Sequence, residues 1–181
     1  MGTLVTTRLS YLASIESIDT AVAAGAKIPA ESGLLLGEYG TINPLVIFGH
    51  LRTSFTGPLL LEILAKNKNR DLIRSNLISS AAGGLDGVIL ASGLFGASGG
   101  MAKPVYDLDP AQMLRLALKL RSEGTLPASF TIAVRSAAGD GAPERRARWY
   151  LDEGADYIAL EGAASPLFGK RTLFIEPVAR A

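Results

Sequence analysis

The chain has 181 residues, with 18 Lys plus Arg against 17 Asp plus Glu, one His and no Cys. A formal charge of +1 leaves no broad basic surface, which argues against a nucleic-acid binder or a polybasic membrane anchor. The absence of Cys excludes disulfides, thiolate catalysis and Cys-ligated metals, and 48% hydrophobic residues are too many for a disordered chain.

The length fits one domain over residues 1–181. Met1 to Arg8 has no basic start followed by an apolar block, so no secretory signal is read there. Ser75 to Ala102 carries Asp86 and seven glycines, too broken to span a bilayer as one helix. A cytoplasmic protein with neither membrane nor nucleic acid as partner is expected.

Strand-like and helix-like segments then alternate. Leu4 to Thr7 is a short β-branched run. Ser14 to Ala24 spaces Ile15, Ile18 and Val22 for one helical face and stops at Gly25. Lys27 to Pro29 is a brief strand candidate. Asn43-Pro44 reads as a cap and first-turn Pro opening a helix to about Phe55. Pro58 to Ala65 is a buried strand by its Leu/Ile run, and Asn69 to Ala82 is a helix with Ile73, Leu77 and Ala81 on one stripe.

Asp86 to Ala91 is the next strand, followed by a Gly/Ser loop from Ser92 to Ala102. Asp109-Pro110 with Gln112 predicts a capping box, and Met113, Leu116, Ala117 and Leu120 mark that helix's buried face. Ser129 to Val134 is a strand, Pro143 to Glu153 a helix stopped by Gly154, Asp156 to Leu160 a strand, and Arg171 to Val178 a possible seventh. Strict alternation of this kind implies a parallel sheet with helices outside. Both an open doubly wound sheet and a (β/α) TIM-barrel-like fold fit. A closed eight-stranded barrel usually needs about 200 residues or more, so a barrel here is expected to be short or incomplete relative to eight strands.

In either fold, ligands meet the C-terminal ends of the strands. That rule selects Arg8, Ser10 and Tyr11; Glu31 and Ser32 after the second strand; Lys66, Asn67, Asn69 and Arg70 after the third; Ser92 and Tyr106 around the glycine loop; Arg135 and Ser136; and Glu161. Gly93, Gly96 and Gly99 give a GxxGxxG spacing, which is neither a P-loop nor the dinucleotide fingerprint. Glu62 stands inside PLLLEILA, where a carboxylate without a partner is costly. It is either a functional acid in a barrel lumen or a structural acid paired with Lys66 or Arg135. Glu161 ends DYIALE and carries the same two readings. His50 belongs to a helix on the outside, and Arg145, Arg146 and Arg148 read most simply as a solvated helix face, with anion binding as the alternative. Of Trp149 and Tyr150, at least one should pack on the sheet. No metal-ligand motif is found.

The middle of the chain resembles the methylenetetrahydrofolate reductase family. The resemblance rests on Leu60 to Gly93, with Lys66-Asn67-Lys68-Asn69-Arg70 in place of the family's Arg-Asp-Arg-Asn-Arg-like segment. It rests further on KPVYDLDPAQMLRLALKLR (Lys103 to Arg121) and PERRARWYLDEGADYIALE (Pro143 to Glu161). It covers about Leu4 to Gly162. The resemblance implies a (β/α) barrel of one-carbon metabolism that binds FAD and a tetrahydrofolate derivative, and reduces methylene-folate to methyl-folate through the flavin. It makes Lys66, Asn69, Arg70, Ser92, Tyr106 and Asp109 ligand contacts. Glu62 and Glu161, standing where the family has His and Gln, become the acids that would serve the chemistry. The family's first-strand Glu has no counterpart near Thr7 or Arg8, its Asp after the fourth strand is Leu94, and its flavin-phosphate Lys falls near Tyr150. The alternatives are a non-catalytic barrel subunit of a larger complex and a flavin-free methyl-folate methyltransferase. An unfinished barrel would expose sheet edges, so a homo-oligomer or hetero-complex covering them is expected.

Overall fold

In the computed structural model the strands are short and mostly apolar. The structure describes residues 4–8, 19, 22–23, 26–29, 31–37, 43–66, 68–93, 105, 107–137, 141–161 and 166–176. The strands are β1 (Leu4–Arg8), β2 (Gly33–Leu36), β3 (Leu59–Leu64), β4 (Gly87–Ala91), β5 (Thr131–Arg135), β6 (Tyr157–Glu161) and β7 (Thr172–Glu176). Each pairs in parallel with the next, and β1 pairs with β7 from Leu4↔Leu173 to Thr7↔Glu176, so the sheet closes into a barrel. Among the described residues this TIM-barrel-like ring has seven strands, one short of eight.

Outside it stand α1 (Leu45–Arg52), α2 (Arg70–Ala82), α3 (Pro110–Ser122) and α4 (Ala142–Asp152), with a 3₁₀ segment, Pro166–Arg171, before β7. Their starts follow the local sequence. Asn43 accepts from the Leu45 N–H (3.0 Å) before α1, Asn69 accepts from the Leu72 N–H (2.9 Å) before α2, and Asp109 with Gln112 forms the predicted capping box of α3. Gly124 and Gly154, after α3 and α4, have φ of 75° and 113°, conformations that glycine adopts without strain.

Side-chain alternation sorts the strands into two cores. Leu34, Leu36, Leu59, Leu61, Ile63, Val88, Leu90, Ile132, Val134, Ile158 and Leu160 face the helices, where they meet Ile73, Leu77, Met113, Ala117 and Tyr150. Leu35, Leu60, Ile89, Ala133, Ala159, Leu173 and Ile175 fill the lumen. Gly87 keeps β4 tight against β5: a Cβ there would meet the Thr131 carbonyl oxygen and lie 2.6 Å from Thr131 Cβ.

Two expectations change. The second strand is Gly33–Leu36, not Lys27 to Pro29, which lies in a turn and bend. Four residues, all buried, are too few to show a period, so the GLLL run carried no signal of type. Glu31 and Ser32 therefore precede that strand and stand at the opposite end from ligands. The pairing of β1 with β7 also removes the open edges that a covering partner was expected to hide. The Ser14 to Ala24 helix, the loop from Leu94 to Ala102, Ser10, Tyr11 and Asn67 lie largely or wholly outside the described residues. No helix among the described residues is long and apolar enough to cross a membrane.

Candidate functional site

The lumen core stops one layer short of the C-terminal rim, and what stands above it is charged. Two residues on from Leu60, Ala133 and Ala159, on the same inward face, come Glu62, Arg135 and Glu161. One Arg135 terminal nitrogen donates to Glu62 Oε1 at 2.5 Å, and the other donates to Glu161 Oε2. β4 lies between β3 and β5, so the contact of Arg135 with Glu62 spans a strand.

Burial differs sharply within the cluster. The Glu62 side chain is fully buried, Arg135 is 19% exposed and Glu161 is 46% exposed. A buried carboxylate persists as an ion only with a close cationic partner. Glu62 therefore fixes Arg135 at the mouth, while Glu161 sits at the rim, where water competes for its contacts. The acid in PLLLEILA points into the lumen and is paired with Arg135, one of the two partners read from sequence.

Beside the cluster a cleft of about 850 Å³ opens over the ends of β4 and β5. Ser92, Arg135 and Ser136 form its floor, the start of α3 (Asp109, Pro110, Ala111) one wall, and Pro143, Arg145, Arg146, Trp149 and Tyr150 of α4 the other. Tyr150 is buried against the sheet, and desolvation raises its pKa above the ordinary tyrosine value. Trp149 stays partly exposed, with the Arg115 guanidinium 5.4 Å from its ring centre. His50 is exposed on α1, as expected.

The residues singled out from sequence separate into two groups. Glu62 and Glu161 meet on Arg135, and Ser92 and Asp109 line the same cleft. Asn69 and Arg70 do not join them. The Asn69 side chain caps α2, and the Arg70 N–H donates to Asp107 Oδ2 (2.8 Å). Asp109 is itself a cap, accepting from the Gln112 N–H at 2.8 Å. Lys66 follows β3 and donates its N–H to the Ser92 carbonyl oxygen (3.1 Å). Tyr106 lies outside the described residues. The sequence reading named Arg135 as a strand-end candidate and as a possible partner of Glu62; Arg145 and Arg146 are exposed, as a solvated face requires, and they also line the cleft. The signal for Arg135 was its parity: in TIAVR it shares the inward face of Ala133.

No family model and no curated protein matches the chain. Solved structures do. It is similar to an oxaloacetate acetylhydrolase (16% identity, TM-score 0.57, covering 96% of this chain and 75% of that one). It is similar also to a phosphonopyruvate hydrolase solved with oxalate and Mg²⁺ (16%, 0.61, 95% and 66%). A third is 2,3-dimethylmalate lyase, described as a PEP mutase/isocitrate lyase superfamily member (12%, 0.61, 96% and 73%). At such identities the likeness shows the fold, and the chain spans only about two thirds to three quarters of these neighbours' length.

These neighbours overturn the methylenetetrahydrofolate reductase resemblance and the activity and ligands it implied, though not the barrel: flavin-mediated folate reduction, FAD and a tetrahydrofolate ligand fall, and with them the subunit and methyltransferase alternatives. The physical reason lies in what the matched motifs do. Asn69 and Asp109 are helix caps, and Asp156, in the GADY turn, holds a strand N–H and an arginine at the other end of the barrel. Such devices recur wherever strand and helix alternate, so they report the barrel and not its ligand.

The neighbour solved with Mg²⁺ raises the question of a metal here. At this rim the described residues offer two carboxylates, both engaged by Arg135, and no three His, Cys, Asp or Glu side chains cluster anywhere among them. Mg²⁺ asks for near-octahedral oxygen ligation. The donor set does not fit it, because a guanidinium already stands between the two acids.

Proposed function

We propose that the barrel mouth binds a small oxo or hydroxy acid through Arg135 and cleaves a carbon–carbon bond beside its carboxylate, in the manner of a lyase. The observation that carries this reading is the unequal sharing of Arg135. Buried Glu62 anchors one side of the guanidinium, and the other side faces Glu161, which is 46% exposed. A ligand carboxylate can take the place of Glu161 on that side, since an Arg–carboxylate contact of this kind is geometrically specific and strong once water is excluded. Two neighbours were solved with oxalate, an anion of this class.

The displaced Glu161 carboxylate then lies next to the ligand. For a malate-type acid it takes the proton of the hydroxyl group, and the bond between the hydroxyl-bearing carbon and the carbon adjoining the bound carboxylate breaks. The electron pair passes onto that carboxylate, where Arg135 stabilises the added charge. Glu161 returns the proton to the carbon, giving one 2-oxo acid and one carboxylic acid with no change in overall oxidation state.

Calorimetric titration with oxalate, together with NMR of malate-type acids incubated with the protein, tests this. Arg135→Lys keeps the charge but loses the planar fork, and should weaken oxalate about tenfold. Glu161→Gln should lower turnover by about 100-fold or more while oxalate still binds. Equal oxalate binding by wild type and Arg135→Lys, with no acid of this class cleaved, would sink the reading.

A further inference from the structure

The cleft next to Arg135 is larger than a small acid needs. It measures about 850 Å³, whereas pockets from about 300 Å³ already accept drug-sized ligands. Its far wall is built from α4, and the three arginines of that helix are treated differently. Arg148 is held by Glu144 Oε1 at 2.7 and 2.9 Å and lies over Phe168. Arg145 and Arg146 line the cleft and make no ion pair with any described residue. α4 begins at Gly141 with no side-chain cap, so the positive end of the helix adds to the same wall.

A second observation comes from Tyr150. The residue is only 6% exposed, and its ring packs edge-on against Trp149 at 5.3 Å. It lines the cleft, yet its hydroxyl makes no hydrogen bond with a described residue. Among the described residues Thr172 Oγ1 is the one fully buried side-chain polar atom without a partner, so the Tyr150 hydroxyl, at the tip of a buried ring, meets the water of the cleft. Burial also holds it in the protonated, donating form. Of the neighbouring charges, Asp109 on the opposite wall acts on Tyr150 against Arg146, and the two arginines outnumber it.

We propose that Arg145, Arg146 and the Tyr150 hydroxyl form a second anion subsite, which takes a phosphate group at the far end of the ligand held by Arg135. Two guanidinium forks and a hydroxyl, set at a helix start, present more donors than one carboxylate can accept and suit a tetrahedral oxyanion. The identity of the ligand's other end rests on the function proposed above; the subsite itself does not.

The test is calorimetric titration of inorganic phosphate into the wild-type protein, free and saturated with oxalate, and into Arg145→Gln/Arg146→Gln and Tyr150→Phe. Both arginines are exposed and the ring is kept, so the variants should fold. Phosphate should bind with oxalate already present. It should weaken at least 30-fold in the double variant and roughly tenfold in Tyr150→Phe, with oxalate affinity unchanged in both. Absence of phosphate binding to wild type, equal binding by the double variant, or displacement of phosphate by oxalate would each overturn the subsite. If oxalate fails to bind while phosphate still depends on both arginines, the oxo-acid reading falls and the subsite stands.

Discussion

At the N-terminal end of the barrel two aspartates repeat one arrangement. Asp86 Oδ2 accepts from the Leu59 N–H (2.8 Å) and from Arg52, which also donates to the Gly57 carbonyl oxygen (2.7 Å). Two βα units on, Asp156 Oδ2 accepts from the Ile132 N–H (2.8 Å) and from Arg121 (2.7 Å), which also donates to the Phe130 carbonyl oxygen (3.1 Å). At the C-terminal end two glutamates instead share one arginine. An aspartate tied to a strand N–H belongs to the register of the sheet, and no ligand can take its place without breaking the ladder. A half-exposed glutamate sharing a guanidinium can be replaced by any carboxylate of the right shape. The same residue types thus build a fastening at one end and an exchangeable contact at the other.

The strongest way to probe the fastened end is Gly87→Ala, whose new methyl would collide with Thr131 backbone that has nowhere to move. It should cost about 3 kcal/mol or more in chemical denaturation. Asp156→Ala comes next, leaving the Ile132 N–H and Arg121 without their acceptor, at about 2 kcal/mol with oxalate binding intact. A matching loss of oxalate affinity would show that the two ends are not separate. At the exchangeable end Glu161→Gln should change stability by no more than about 0.5 kcal/mol, because its ion pair lies at the surface, even as turnover falls. A large drop in melting temperature would instead make Glu161 a structural partner.

The smallest effect concerns Tyr150. Its folded pKa is raised above the unfolded value, so its contribution to stability is complete below about pH 10 and is lost as pH rises toward the folded pKa. Tyr150→Phe should flatten the alkaline arm of a stability–pH profile and leave it unaltered at neutral pH.

Much of this molecule was legible in the chain. Asn69, the Asp109–Gln112 box and Gly154 placed helix ends to within a residue or two, because caps and left-handed turns depend on atoms a few positions apart. Apolar runs marked β3 and β4 as buried strands, and Glu62 stood out because a carboxylate in an apolar run must find a partner. Those same local devices misled about function, since a motif that caps a helix looks alike in unrelated barrels. The four-residue β2 was missed because it is too short to carry a period.

Sequence by itself determined the alternation, the helix boundaries and the list of charged residues near strand ends, all of which follow from propensities and spacings within a single segment. Only the tertiary structure decided that seven strands close, that Arg135 reaches past β4 to Glu62, and that Arg145, Arg146 and Tyr150 face the same cleft. These depend on strand register and on which face of each element turns inward. They join residues as far apart as Glu62 and Arg135, 73 positions along the chain, a separation over which no local pattern carries information.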